Sequence, residues 1–148
     1  MPNNSSSFSR QLTSRAEDIA ALADDVHAWS KTCGISGRSC HHLGLLLDEL
    51  IANIVHHAYQ GRDDGRIEIQ AQFDGAMVRV ALRDAGPPFD PTLLAPADTT
   101  QTMEAREFGG LGIHFVRRIA NHFSYRRDGD VNEVVFCLPG TAPSGEQS

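Results

Sequence analysis

Cysteine is scarce and unpaired in this chain. Cys33, Cys40 and Cys137 are odd in number, and no two of them form a Cys-x-x-Cys pair. That argues against a disulfide framework and suits a reducing compartment. Long apolar runs are missing too. Nothing approaches the roughly 18 apolar residues of a membrane span, and no apolar signal core opens the chain. Neither secretion nor membrane insertion is expected, and a cytoplasmic location is. No Lys/Arg run exceeds a pair, and the net charge is −6. A general nucleic-acid or anionic-membrane surface is not expected on that balance. The chain has seven histidines but no His-Glu-x-x-His or Cys/His framework. Adjacent pairs such as His41-His42 and His56-His57 would diverge by about 100° on a helix. A transition metal needs converging ligands, so a histidine–metal site is the weaker reading.

What is present is enough chain for one domain. At 148 residues, with 41% apolar and 22% charged residues, it can build a real core but not two. Residues 1–7 and 140–148 are polar and read as disordered tails. "SFSRQLTS" reads as an edge strand. Ser14 with Glu17 reads as a capping box opening a helix, in which Ile19, Leu22, Ala23, Val26 and Trp29 recur at helical spacing before Gly34. A second helix should begin near Ser36 or Ser39 and end near Gly61. "RIEIQAQF" and "MVRVALRD" then alternate with period two around Asp74-Gly75, a hairpin signal. Residues 91–108 are small, polar and irregular, and are expected to form a lid. A third helix should start at Leu111 or Gly112, with Ile113, Val116, Ile119 and Ala120 inward. A last hairpin should turn at Asp128-Gly129. This order predicts an α+β two-layer sandwich: a mixed, mostly antiparallel sheet of four or five strands with three helices on one face.

Three stretches carry the chemistry. In "DELIANIVHHAY" (48–59), helical spacing puts Glu49, Asn53, His56 and Gln60 in one sector, with Leu47, Ile51, Ile54 and Ala58 opposite. That polar stripe is either a solvated face or the wall of a cleft. "RDAGPPF" (83–89) puts Asp84 at a strand end before Gly86. The pair is turn chemistry, or a carboxylate that accepts from an exocyclic amine beside a backbone that a flat ring can approach. "GGLG" (109–112) is a flexible connection, or a helix start whose N–H groups favour phosphate. It is not a Walker A loop, since no Lys-Ser/Thr follows, and the dinucleotide fingerprint fails because Phe115 stands at the third glycine position.

In this order the three stretches resemble the Bergerat-type ATP-binding domain, and most closely its anti-sigma-factor serine/threonine kinase branch. "ELIANIVHHAY" resembles that branch's N-box, "RDAGPPFDP" its G1 box and "GGLGIHFVRRIANHFSYRRDG" its G2 box and following strand, so that the likeness covers roughly residues 8 to 138. It implies one histidine-kinase-like ATPase domain over residues 1–148, with ATP and Mg²⁺ as cofactors. By resemblance, Asn53 is the Mg²⁺ ligand, and Asp84 accepts from the adenine amine while Gly86 gives the ring room. Gly110, Leu111 and Gly112 meet the phosphates. Glu49 is the catalytic base for a Ser or Thr hydroxyl on an anti-sigma-factor antagonist. Arg106 is the candidate for the γ-phosphate, because Phe108 precedes the glycines where relatives often have a basic residue. A sigma factor is the implied second partner and a homodimer the assembly suggested by analogy. Two alternatives stay open: an ATP-binding module that sequesters its partner without phosphorylating it, and a switch kinase whose output is not a sigma factor.

Overall fold

The computed structural model describes residues 6–93 and 111–141. Five strands form one sheet: β1 (Ser6–Thr13), β2 (Arg66–Phe73), β3 (Met77–Asp84), β4 (His122–Asp128) and β5 (Val131–Pro139). Their spatial order is β1-β2-β3-β5-β4, and every pairing is antiparallel, so the parallel component allowed for in a mixed sheet is not used among the described strands. The helices are α1 (Ala16–Thr32), α2 (Gly37–Asn53) and α3 (Leu111–Ile119).

Alternation decides which side of the sheet is dry. Ile67, Ile69, Ala71 and Phe73 of β2 are buried, as are Val78, Val80 and Leu82 of β3 and Val134, Phe136 and Leu138 of β5. Register lines them up: Phe8 faces Ala71, Ala71 faces Val80, Val80 faces Phe136, and Phe136 faces Phe123. Leu22 and Val26 of α1, Leu43, Leu46, Leu47, Leu50 and Ile51 of α2, and Ile113 and Val116 of α3 join the same core. Full burial of each such side chain contributes roughly 1.5–3 kcal/mol. The helix layer is therefore glued to one sheet face, as the sequence pattern implied. Among the described residues no helix is long and apolar enough to cross a membrane.

Several boundaries differ from the expected ones. Ser14 does not cap α1; Arg15 holds the cap position with no side-chain bond. The Ser14 hydroxyl instead donates to the Arg62 carbonyl (2.5 Å) and accepts from Gly65 N–H (2.9 Å), tying β1 to the loop before β2. Ser36 does cap α2, accepting from Ser39 N–H. Ala23, expected inward, is exposed, and Trp29 is only partly buried, its indole donating to the Ser6 hydroxyl. The final hairpin turns at Gly129-Asp130, one residue later than read, because Asp128 pairs with Val131.

The largest local departure is at the end of α2. The α-helix stops at Asn53 and a π-helical turn, Ile54–Ala58, replaces its expected last turns. Tyr59 N–H bonds the Ile54 carbonyl at 3.0 Å, and Gly61 N–H the Val55 carbonyl at 2.8 Å. Gln60 and Gly61 then take positive φ and end the run. The predicted stripe does not form: Asn53, before the turn, is buried, while beyond the wider turn His56 is exposed and Gln60 lies outside the helix. Such turns are rare and cluster at functional positions.

Candidate functional site

Asn53 and Asp84 converge although they are 31 positions apart. Asn53 ends α2 and Asp84 ends β3, and both are nearly buried, at 3% and 6% exposure. They line one narrow gap with Leu50, Ile54, Leu82, Phe89, Pro91 and Val134, and the space left is about 10 Å³. That is room for about one water molecule. Asn53 Nδ2 is buried without a hydrogen-bond partner among the described residues, and a buried amide left so costs roughly 1–3 kcal/mol. Glu49 lies one helical turn before Asn53. It is half-buried, and burial pushes its carboxyl above the usual carboxylate range.

Asp84 sits at the strand end because its Oδ1 closes the turn that follows, accepting from Gly86 N–H at 2.9 Å. The same oxygen accepts from Asn132 Nδ2 at 2.9 Å. Burial raises the pKa of this carboxyl; the Asn132 amide, the Gly86 N–H and the Arg127 guanidinium work against that rise. One position before Asp84, Arg83 reaches across to Glu133 at 2.7 Å and fastens β3 to β5 at the same level.

The loop after Asp84 is held from three sides. Tyr59 accepts from Ala85 N–H at 2.8 Å and donates to the Arg66 carbonyl, so the residue closing the "HAY" triplet clamps the loop to the start of β2. Arg127 donates to the Gly86 carbonyl at 2.7 Å. Phe89 stacks on His57 of the π-turn, with centroids 4.4 Å apart and planes within 9°. Gly86 is packed against that turn as well: a Cβ there would lie 2.7 Å from Ala58 Cβ and 2.8 Å from the Ala58 carbonyl oxygen. Its missing side chain is already used by Ala58, whatever room a ligand needs.

Leu111 and Gly112 open α3, and α3 packs on α2, so the glycine motif's helix stands beside the acid–amide helix. Arg117 of α3 donates to the Thr92 carbonyl in the short turn Pro91–Leu93, linking that helix to the far side of the gap. Arg106, Gly110 and residues 94–108 of the expected lid lie outside the described residues, as do 1–5 and 142–148 of the tails.

Two site elements escape a reading of motifs. Asn132 binds the whole loop, and the π-turn aims His57 and Ala58 at it. Asn132 did leave a trace: it occupies an inward position of β5, in line with Val134, Phe136 and Leu138, where an apolar residue is the rule. The donor set suits a hard cation at an amide oxygen and an amine at a carboxylate. Phe89 and Pro91 are among the residues that close the gap.

Fold and site together define an α+β sandwich whose narrow polar gap lies between the end of a helix and the end of a strand, with α3 packed on that helix. That is the class of the nucleotide-binding ATPase domains. The chain belongs to the histidine kinase-like ATPase domain family, which it matches over residues 12–138. It is 24% identical over 129 residues to the serine-protein kinase RsbW of Listeria monocytogenes serotype 4a (strain HCC23), covering 84% of this chain and 82% of that one. It is 28% identical over 115 residues to the serine/threonine-protein kinase BtrW of Bordetella bronchiseptica, covering 74% and 81%. The fold matches the crystal structure of the RsbU and RsbW domains of Rv1364c from Mycobacterium tuberculosis with a TM-score of 0.63 and 14% identity. That match covers 93% of this chain but only 33% of the longer one. The expected α+β fold and the resemblance to the anti-sigma-factor kinase branch both agree with these findings.

Proposed function

We propose that this protein is an ATP- and Mg²⁺-dependent protein serine/threonine kinase of the anti-sigma-factor type. Its substrate is a Ser or Thr hydroxyl on an antagonist protein, and it releases that antagonist once phosphorylated and holds a sigma factor instead. The observation that carries the reading is the meeting of Asn53 and Asp84 on one gap, with the half-buried Glu49 a turn away. The names of the relatives, both kinases, support it. A homodimer is the assembly this reading carries by analogy.

ATP supplies the phosphoryl group, and Mg²⁺ neutralises charge on its oxygens. The chain does the rest. Asp84, an acceptor at a fixed strand end, takes a hydrogen bond from the adenine amine and so distinguishes it from a carbonyl. The Asn53 side-chain oxygen is the metal ligand, and the backbone at Gly110, Leu111 and Gly112 offers N–H groups to phosphate. Arg106 brings a cation to the γ-phosphate. Glu49 takes the proton of the attacking hydroxyl; its raised pKa makes it a better base than an exposed carboxylate. A phosphate on the antagonist then adds close to two negative charges at the contact surface and drives the complex apart.

The test is incubation of the purified protein with its antagonist and ATP·Mg²⁺, read by intact mass. One added phosphate on the antagonist is the expected result. Glu49→Ala should abolish that gain and keep ATP binding, while Asp84→Ala should remove binding. ATP binding with no mass gain would leave a sequestering module; no ATP binding at all would overturn the nucleotide reading.

A further inference from the structure

Asn132 sits at the centre of the densest polar network in the described structure. Its amide oxygen accepts from Tyr125 Oη at 2.5 Å, from Arg127 Nη1 at 3.2 Å and from Phe89 N–H at 3.3 Å. Its amide nitrogen donates to Asp84 Oδ1 and the Pro87 carbonyl at 2.9 Å each, and more weakly to the Gly86 carbonyl at 3.4 Å. Donors crowd one end of the amide and acceptors the other, so only one orientation satisfies the site. The residue is 2% exposed, which makes a flipped amide costly, because six contacts would turn repulsive or empty.

This arrangement has a consequence for Asp84. Its Oδ1 is occupied twice, by Asn132 Nδ2 and by Gly86 N–H, both at 2.9 Å. Among the described residues Oδ2 receives no hydrogen bond and is the oxygen left for a ligand. The two donors at Oδ1 favour the ionised carboxylate against the burial that opposes it, and an ionised carboxylate offers Oδ2 as an acceptor. A site built to accept from an N–H rejects an analogue that offers an oxygen there.

We propose that Asn132 is the positioning residue that sets purine selectivity: by donating to Asp84 Oδ1 it fixes the carboxylate as a pure acceptor through Oδ2, favouring a 6-amino over a 6-oxo purine. The inference rests on the nucleotide reading given above and adds a residue outside the three sequence motifs. An aspartate at 132 would reverse the polarity at one atom. Two carboxyl oxygens would then meet at the 2.9 Å now spanned by the amide contact, and such a pair shares a proton. When that one proton rests on Asp84 Oδ2 it is donated to a 6-oxo group, which accepts it.

ATP and ITP differ at purine C6, so their dissociation constants, measured by calorimetry on the full chain with Mg²⁺, isolate the effect. The wild type should bind ATP at least about tenfold more tightly than ITP. In Asn132→Asp the ratio should fall to within about threefold of unity, whatever happens to the absolute affinity. Tyr125→Phe removes one of the donors that orient the amide and leaves Asp84 untouched; its ratio should drop roughly two- to fivefold at a near-wild-type melting temperature. A purely structural role would weaken both nucleotides together and leave the ratio alone. A wild type that binds ATP and ITP equally, or an Asn132→Asp protein with the wild-type ratio, overturns the proposal. Should Asn132→Asp fail to fold, an unchanged ratio in Tyr125→Phe overturns it. A wild type that binds neither nucleotide removes the nucleotide reading itself, and the selectivity role with it.

Discussion

Gly86→Ala tests whether this glycine belongs to the ligand or to the scaffold. The added Cβ would stand 2.7 Å from Ala58 Cβ, 2.8 Å from the Ala58 carbonyl oxygen and 3.1 Å from its carbonyl carbon. Carbon atoms in contact prefer about 3.5–4.0 Å, so the shortfall is close to an ångström. Neither neighbour is the free end of a flexible side chain; both belong to the π-turn. The loop cannot swing aside cheaply either. Gly86 N–H is bonded to Asp84 Oδ1 at 2.9 Å, and its carbonyl receives Arg127 at 2.7 Å. Overpacking of this kind costs roughly 1–3 kcal/mol. In a domain of this size each kcal/mol moves the melting temperature by about 2–4 °C, so a fall of roughly 2–12 °C is expected. Differential scanning calorimetry without nucleotide measures it. Gly44→Ala is the internal control: Gly44 lies inside α2 with nothing within 4 Å of an added Cβ. Relief of the helix penalty for glycine should raise stability there by about 1 kcal/mol. A Gly86→Ala protein melting within about a degree of wild type would refute the packing argument and return the glycine to the ligand.

Four further outcomes follow from the geometry. Glu49→Gln should lower kcat for phosphotransfer by about 10²–10⁴-fold and leave the ATP dissociation constant within about twofold. Because burial raises the Glu49 carboxyl and a base must be unprotonated, the wild-type rate should climb with pH through an apparent pKa above the ordinary value of about 4.3; a flat acid limb would exclude Glu49 as the base. Asp74 Oδ1 accepts from Met77 N–H at 2.7 Å and Ala76 N–H at 2.8 Å, and these bonds hold its pKa below the usual range. Its contribution is thus complete above the unfolded value of about 3.9 and is lost as pH falls through the folded one. The melting-temperature gap between wild type and Asp74→Ala should narrow between pH 7 and about pH 2.5, and a constant gap would contradict the assignment. Asn53→Leu, lastly, should leave the nucleotide-free protein within about 1 kcal/mol of wild type by chemical denaturation, since it removes an unpartnered buried amide. A loss above about 3 kcal/mol would show that Asn53 holds the fold and is not held open for a ligand.

How much of this was legible in the sequence varies by the range of the interaction. Period-two alternation announced β2 and β3, and Asp74-Gly75 announced the turn between them, because both signals are local and each inward position of the alternation is a core residue. Burial of Leu47, Ile51, Ile113 and Val116 followed from helical spacing for the same reason. Ser14 misled: a serine before a helix is a cap by default, but Gly65 and Arg62 approach it from 48 to 51 positions away and take its hydroxyl. The π-turn was not readable either. Nothing in "IVHHA" forbids an α-helix; the turn widens where Ala58 meets Gly86 and Tyr59 reaches Arg66 and Ala85, contacts made only in the folded chain.

The two asparagines show what separates scaffold from site. Both are buried in the fold: Asn53 at the end of α2, where helical spacing had put it on the polar stripe, and Asn132 on the buried row of β5, where alternation calls for an apolar residue. Burial alone cannot rank them, since both are inward polar residues. Energetics can. Asn132 is paired at both ends of its amide, so its burial cost is met within the chain and its effect is to fix Asp84 and the loop beside it. Asn53 keeps an amide nitrogen buried without a partner among the described residues. A fold that satisfies one buried amide completely has no general difficulty in doing so. The unsatisfied one, at a helix end that faces Asp84 across a narrow gap, is where an added group has interaction energy to gain.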